Sequence, residues 1–325
     1  MTLGPALRTL YADLLQQLQS TQEQPASIYI QRNGPGSFYY ARRMAGAVRR
    51  DEYIGRADEA AALARVETIR AERRLAAQRR TIISALKRTG LPAPGRELAA
   101  ILSAMADAGL LNAAVLVGTA AYQCYPALVG DLLPSAALMT QDADFATVEL
   151  ALAANDGRST LLDILQRADA SFRPVPGLSK SAPPASFRST AGFRVDLVTP
   201  VLRRNDPDPM PLPRLAAGAV PLQYLGWLIA EPAQAAVLAR SGILVQVPQP
   251  VRFAIHKLIL AQRRPAPERL KRQKDLLQAR SLIMALQASD PELLLDTLAE
   301  AKAKGSEGWR KPILRSLDEL GITLG

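Results

Sequence analysis

The chain predicts a mixed α/β fold of the α+β kind: a small mixed β-sheet flanked by helices, with an N-terminal β-hairpin and long-helix module and a mainly helical C-terminal region. Three observations carry this. Residues 114–117, 136–146 and 192–199 read as short strands, a long charged apolar-striped stretch runs from Asp58 to Lys87, and the chain reads as mainly helical from Pro250 onward. At 325 residues, 48% hydrophobic and a mean hydropathy of +0.01, the chain is long enough for two domains and apolar enough to fold.

In chain order, residues 1–24 suit a short amphipathic helix. Ser27–Gln31 and Ser37–Ala41 flank a turn at Asn33–Gly36, and a third apolar piece lies near Tyr53 and Ile54, so the segment reads as a hairpin or small meander. Tyr29, Phe38, Tyr39, Tyr40 and Tyr53 crowd there among Arg32, Arg42, Arg43, Arg49 and Arg50. Such rings and guanidinium groups can stack bases and hold phosphates, or can form the core and rim of a small sheet. Leu63, Val66, Ile69, Leu75, Ile82, Ile83 and Leu86 stripe the long helix, which Gly90, Pro92 and Pro94 stop. A short helix follows with Leu98, Ile101, Leu102 and Met105 inward. After the strand at 114–117, the segment from Thr119 to about Val129, broken only by Pro126, is expected to start as helix, followed by the strand at 136–146 and a helix near 159–168. A Pro/Ser-rich loop at 174–186, the strand at 192–199, a loop at 203–213, a helix, and a strand at Gly242–Val247 complete the order.

Composition excludes much chemistry. The single cysteine, Cys124, allows no internal disulfide and no multi-Cys zinc site, and the single histidine, His256, allows no multi-His metal site. What remains is carboxylates, lysine and arginine. No apolar run approaches the roughly 18 residues of a membrane span, and no signal-peptide pattern opens the chain, so no membrane partner and a cytoplasmic location are expected. The net charge of +10 favours an anionic partner such as nucleic acid or nucleotide, although a GC-rich genome would produce the same Arg- and Ala-rich composition.

The chemistry concentrates in three segments. Val115–Thr119 reads as a strand ending in a Gly118-Thr119 turn, where a following helix would offer free N–H groups to phosphate. Asp142 and Asp144, two apart on one strand, face the same side about 7 Å apart, and Asp196 lies opposite Phe193, Val195 and Leu197 on a later strand. Carboxylates so arranged suit divalent ions that neutralise a phosphoryl group and clamp its attacking and leaving oxygens. A turn, a salt bridge and a strand end are the structural alternatives for the three. Further on, Asp275, Ala279, Leu282 and Leu286 fall on one helical stripe, so Asp275 needs a partner. Lys257, Arg263, Arg264, Arg272 and Lys274 are candidates, either as a structural ion pair or as part of a site.

Gly118-Thr119, Asp142-Ala-Asp144 and Asp196 together resemble the signature of the nucleotidyltransferase superfamily with the polymerase-β-like fold. Gly-Thr-Ala-Ala-Tyr with Thr-Gln-Asp-Ala-Asp-Phe-Ala is similar to a bacterial nucleotidyltransferase-like branch distantly related to AbiEii-type toxins. The resemblance implies Mg²⁺ or Mn²⁺ on Asp142, Asp144 and Asp196, and an NTP triphosphate on Gly118 and Thr119. It also implies that Lys257 and Asp275, on helices beyond the sheet, complete the site, Lys257 on the phosphates. The implied reaction moves a nucleoside monophosphate from an NTP to a hydroxyl on an RNA end (tRNA included), a protein or a small molecule, with release of pyrophosphate, in a toxin- or defence-like setting. The alternative is a non-catalytic nucleic-acid- or partner-binding protein on the same scaffold. Expected domains are 1–90, a nucleotidyltransferase core at 91–213, and 214–325. Two departures stand out: Thr119 replaces the usual second Gly or Ser, and 22 residues separate Thr119 from Asp142.

Overall fold

The computed structural model describes residues 2–20, 26–45, 48–134, 142–146, 159–177, 182–201, 203 and 208–324, the side chains of residues 44, 45, 48, 142 and 146 excepted. Helix α1 (Pro5–Ser20) buries Tyr11, Leu14 and Leu18 along one stripe. Strands β1 (Ser27–Asn33), β2 (Gly36–Ala45) and β3 (Val48–Arg56) form an antiparallel three-stranded sheet in that order. Gly34-Pro35 closes the first hairpin, with Gly34 at φ 56°, the positive value that the first turn position of a II′ hairpin needs.

Helix α2 (Ala60–Arg88) has two jobs along its 29 residues. Its N-terminal half buries Ile69 against Ala26, Ala41, Ile28 and Ile54 of the small sheet. Its C-terminal half sets Ile83 and Leu86 among Leu14 and Leu18 of α1 and Ala236 and Leu238 beyond. Arg79, 2% exposed, donates from Nε to the Ser241 carbonyl at 3.0 Å and fastens that half to the rest of the chain.

Helix α3 (Arg96–Asp107) turns Leu98, Ile101, Leu102 and Met105 inward as expected. Then come β4 (Val115–Val117), two short helices, α4 (Gly118–Tyr122) and α5 (Tyr125–Val129), and β5 (Asp142–Ala146). The gap between turn and carboxylates therefore begins with the helix expected at its start, and a second short helix with Pro126 in its first turn follows, because Pro126 cannot donate within a continuous helix. Residues 135–141, the first part of the strand expected at 136–146, lie outside the described residues, as do 178–181 of the loop at 174–186 and 204–207 of the loop at 203–213. Helix α6 (Leu161–Ala168) opens with a reciprocal cap between Thr160 and Asp163.

Strands β6 (Arg173–Pro174), β7 (Ser186–Arg188), β8 (Arg194–Pro200), β9 (Met210–Leu212) and β10 (Ala217–Leu222) precede the one-turn helix α7 (Leu225–Leu228), β11 (Ala233–Val237) and β12 (Ile243–Val247). The main sheet runs β11-β12-β4-β5-β8-β10-β9, with β7 joining the first half of β8 and β6 joining β7. It is mixed, β4–β5 being antiparallel and β5–β8 parallel. Beyond residue 213 the expected helix is instead mostly strand: Ala217, Ala219, Ala235 and Val237 alternate into the core, and small residues there left no clear period in the sequence. The sheet thus crosses the boundary expected at 213. Helices α8 (Pro250–Ala261), α9 (Arg269–Ser289), α10 (Pro291–Ala303) and α11 (Lys311–Glu319) finish the chain. No helix among the described residues is long and apolar enough to cross a membrane.

Candidate active site

Strand register brings the acidic segments together. Asp144 pairs with Asp196 across the parallel β5–β8 ladder, and Asp142 pairs with Arg194. Paired residues on neighbouring strands, about 4.8 Å apart, project from the same face. Ala143, Phe145, Val195 and Leu197 point the other way and are fully buried, which holds Asp144 and Asp196 towards the open face. The Asp142 side chain lies outside the described residues.

On the other side of β5, Val117 pairs with Asp144, so the turn at Gly118 begins beside that carboxylate. Gly118 sits at φ 65°, and a Cβ there would lie 2.5 Å from Asp144 Oδ2. Both facts demand glycine: the left-handed backbone and the carboxylate resting where a side chain would be. The helix that Thr119 continues is one and a half turns long, and its Tyr122 packs on Phe253 of α8, with ring centroids 6.0 Å apart. Tyr125 packs edge-on to the same ring at 4.9 Å.

Phe253 lies one helical turn before Lys257, whose Nζ stands 5.2 Å over the ring centre. Lys257 Nζ donates to Asp275 Oδ1 at 2.6 Å, and Arg264 Nε to Asp275 Oδ2 at 2.9 Å. Burial would push the Asp275 carboxyl up, but Lys257 and Arg264 outweigh it and hold the pKa below 3.8. His256 is pushed down to about 3 by burial, with Lys257 adding to the effect, so it stays neutral and serves packing rather than proton transfer.

These walls enclose an open cleft of about 890 Å³ that gathers Gly118, Thr119, Asp144, Asp196, Lys257 and Asp275. Sequence reasoning missed Arg188, Arg194 and Lys271, which also line it. Arg194 Nε donates to Asp196 Oδ1 and to Ser186 Oγ, each at 2.8 Å. Its position two residues before Asp196 on one strand was a usable signal, since both then share a face. Arg188 reaches the cleft through β7 pairing with β8, a register that its three-residue strand does not announce.

The cleft's donor set is oxygen alone, which suits hard cations such as Mg²⁺ or Mn²⁺. The missing Cβ at Gly118, into which Asp144 leans, leaves room for that carboxylate to turn towards an ion. Among the described residues no three or more His, Cys, Asp or Glu cluster, so Asp144 and Asp196 form the described pair.

A strand and Gly-Thr turn thus stand beside paired carboxylates and share a cleft with a lysine on a helix. A family model described as Nucleotidyltransferase matches residues 96–303, nearly two thirds of the chain, and the chain belongs to that family. No curated protein and no solved structure matches it.

Proposed function

We propose that the chain is a divalent-metal-dependent nucleotidyltransferase that moves a nucleoside monophosphate from an NTP to a hydroxyl acceptor and releases pyrophosphate. The observation that carries this reading is the side-by-side pair Asp144 and Asp196 next to the Gly118 turn, with Lys257 in the same cleft. Asp144 and Asp196, with Asp142 on the same strand as Asp144, would hold Mg²⁺ or Mn²⁺. Bound there, the ions would neutralise charge on the phosphoryl group and lower the pKa of the acceptor hydroxyl.

The protein's own groups do the rest. Backbone N–H groups from Gly118 and the Thr119 hydroxyl bind triphosphate oxygens at a site where the bare glycine lets the ligand approach closely. Lys257, held by Asp275, donates to the phosphates, and Arg264 keeps Asp275 charged and fixed. Arg188, Arg194, Lys271 and Lys274 give the cleft a positive field that draws in a polyphosphate and stabilises the departing pyrophosphate. Arg194, paired with Asp196, lines the same cleft and offers its remaining guanidinium N–H groups to phosphate.

The test incubates the full chain with each labelled NTP, Mg²⁺ or Mn²⁺ and total RNA, beside Asp144→Asn and Asp196→Asn. Transfer of label to RNA by the wild type and a loss of at least about a hundredfold in both variants is expected. Folded wild type that binds neither metal nor nucleotide, and matches the variants, would indicate the non-catalytic binding protein instead.

A further inference from the structure

The net charge is not spread over the chain. Residues 26–90 hold fourteen basic and six acidic residues, a net +8 of the total +10, whereas the family match begins only at Arg96. The stretch contains the β1–β3 sheet and α2, so the module carries a strong positive field of its own.

The sheet has two unlike faces. Ile28, Ala41 and Ile54 turn towards Ile69 of α2 and supply its apolar packing. Tyr29, Tyr40 and Tyr53, their neighbours along each strand, pair in a row across the opposite face. Tyr29 stacks on Tyr40 with centroids 5.4 Å apart, Tyr40 meets Tyr53 at 5.5 Å, and Phe38 meets Tyr53 at 6.2 Å. Tyr53 is 53% exposed. The aromatic residues are therefore not the core of the small sheet.

Guanidinium groups stand at both ends of this row. Arg42 lies 4.4 Å over the Tyr29 ring, and Asp51 ties Arg42, Arg49 and the Tyr29 hydroxyl together. Arg56 pairs in register with Phe38 at the other end. On α2, Arg70, Arg73, Arg74 and Arg80 line a shallow groove of about 330 Å³, like charges at spacings where they repel along the helix. Flat rings in a row bind unstacked bases, and flanking arginines bind the phosphates between them.

We infer that the open face of the β1–β3 sheet binds single-stranded RNA and presents it as the acceptor. The acceptor role rests on the proposed nucleotidyl transfer, but the binding does not. An acidic protein segment would satisfy the charge yet leave the row of rings without a use, so RNA is the better occupant.

The test measures fluorescence anisotropy of a labelled oligouridylate with the full chain, with neither NTP nor metal present. Binding should fall steeply with salt, and Tyr40→Ala and Tyr53→Ala should each weaken it about tenfold while Tyr40→Phe and Tyr53→Phe retain it. Arg49→Ser with Arg56→Ser should lower affinity and flatten the salt slope. Melting curves matching the wild type establish that the variants fold, and the Phe variants keep the comparison sound if an Ala variant does not. The inference is overturned if folded Ala variants bind as tightly as wild type, if duplex RNA binds better than the single strand, or if polyglutamate displaces the oligonucleotide as well as RNA does. An inactive transfer site leaves all these readings unchanged, so the two proposals fail separately.

Discussion

Gly118 and Asp275 show how single residues control the cleft. Adding one methyl in Gly118→Ala places a Cβ 2.5 Å from Asp144 Oδ2 on a left-handed backbone, so the carboxylate must move. The expected cost is about 1–2 kcal/mol of stability, readable by denaturant unfolding. On the proposed function, transfer activity should fall far more than that, by about a hundredfold, because a displaced Asp144 would no longer stand beside Asp196 to hold an ion with it; activity within a few fold of wild type would refute the proposed role. Asp275 governs a pH effect. Its folded-state pKa lies below 3.8, so the unfolded chain takes up the proton first as pH falls. The stability it contributes is complete above about pH 4 and is lost as the pH drops through the folded-state value. Asp275→Asn should therefore unfold more easily at neutral pH, by about 3 kcal/mol, since Lys257 and Arg264 lose a buried partner. Its stability should also fall less steeply than that of wild type between pH 4 and 3; parallel curves in acid urea titrations would refute the linkage.

At the scale of elements, α2 is a strut whose two halves serve different neighbours, and Arg79 is the fastening of the inner half. Arg79→Ala removes the bond to the Ser241 carbonyl and leaves the space of a buried side chain unfilled. The expected loss is about 2 kcal/mol, with faster hydrogen exchange along residues 79–88, whereas Arg80→Ala on the exposed side should change neither. The sequence could not single out Arg79, because it stands among Arg73, Arg74 and Arg80 on a helix that reads as uniformly charged. By contrast, the helix itself, the three N-terminal strands and the alternation of Phe193, Val195 and Leu197 with Asp196 were legible from period and turn chemistry. So was the burial of Asp275, from its place on an apolar stripe. What escaped was the strand character of 217–222 and 233–237, where alanine and glycine carry little β signal, and Arg188, whose place depends on long-range register. Local pattern is written along the chain, and register between distant strands is not.

The whole molecule is built as a sheet face and a helical wall that meet at one cleft. Asp144 and Asp196 come from β5 and β8, while Lys257 and Asp275 come from α8 and α9. A nucleotide with its divalent ion that engages both walls binds only the folded arrangement, so it should stabilise the protein by linkage. At about a hundred times its dissociation constant the gain is about 2.7 kcal/mol, which for a chain of this size corresponds to a rise in Tm of about 4 °C. A non-hydrolysable NTP analogue with Mg²⁺ separates this effect from turnover, and each partner can be withdrawn in turn. Wild type should show the full shift only with analogue and Mg²⁺ together. Asp144→Asn and Asp196→Asn should lose most of it because the ion is no longer held, and Lys257→Met should lose part because one phosphate contact is gone while an apolar stem still packs on Phe253. Variants at Tyr40 and Tyr53, on the separate N-terminal sheet, should keep the whole shift. A shift of equal size without Mg²⁺, or one unchanged in both aspartate variants, would mean that the ligand binds elsewhere and that the cleft is not where the nucleotide and its metal meet.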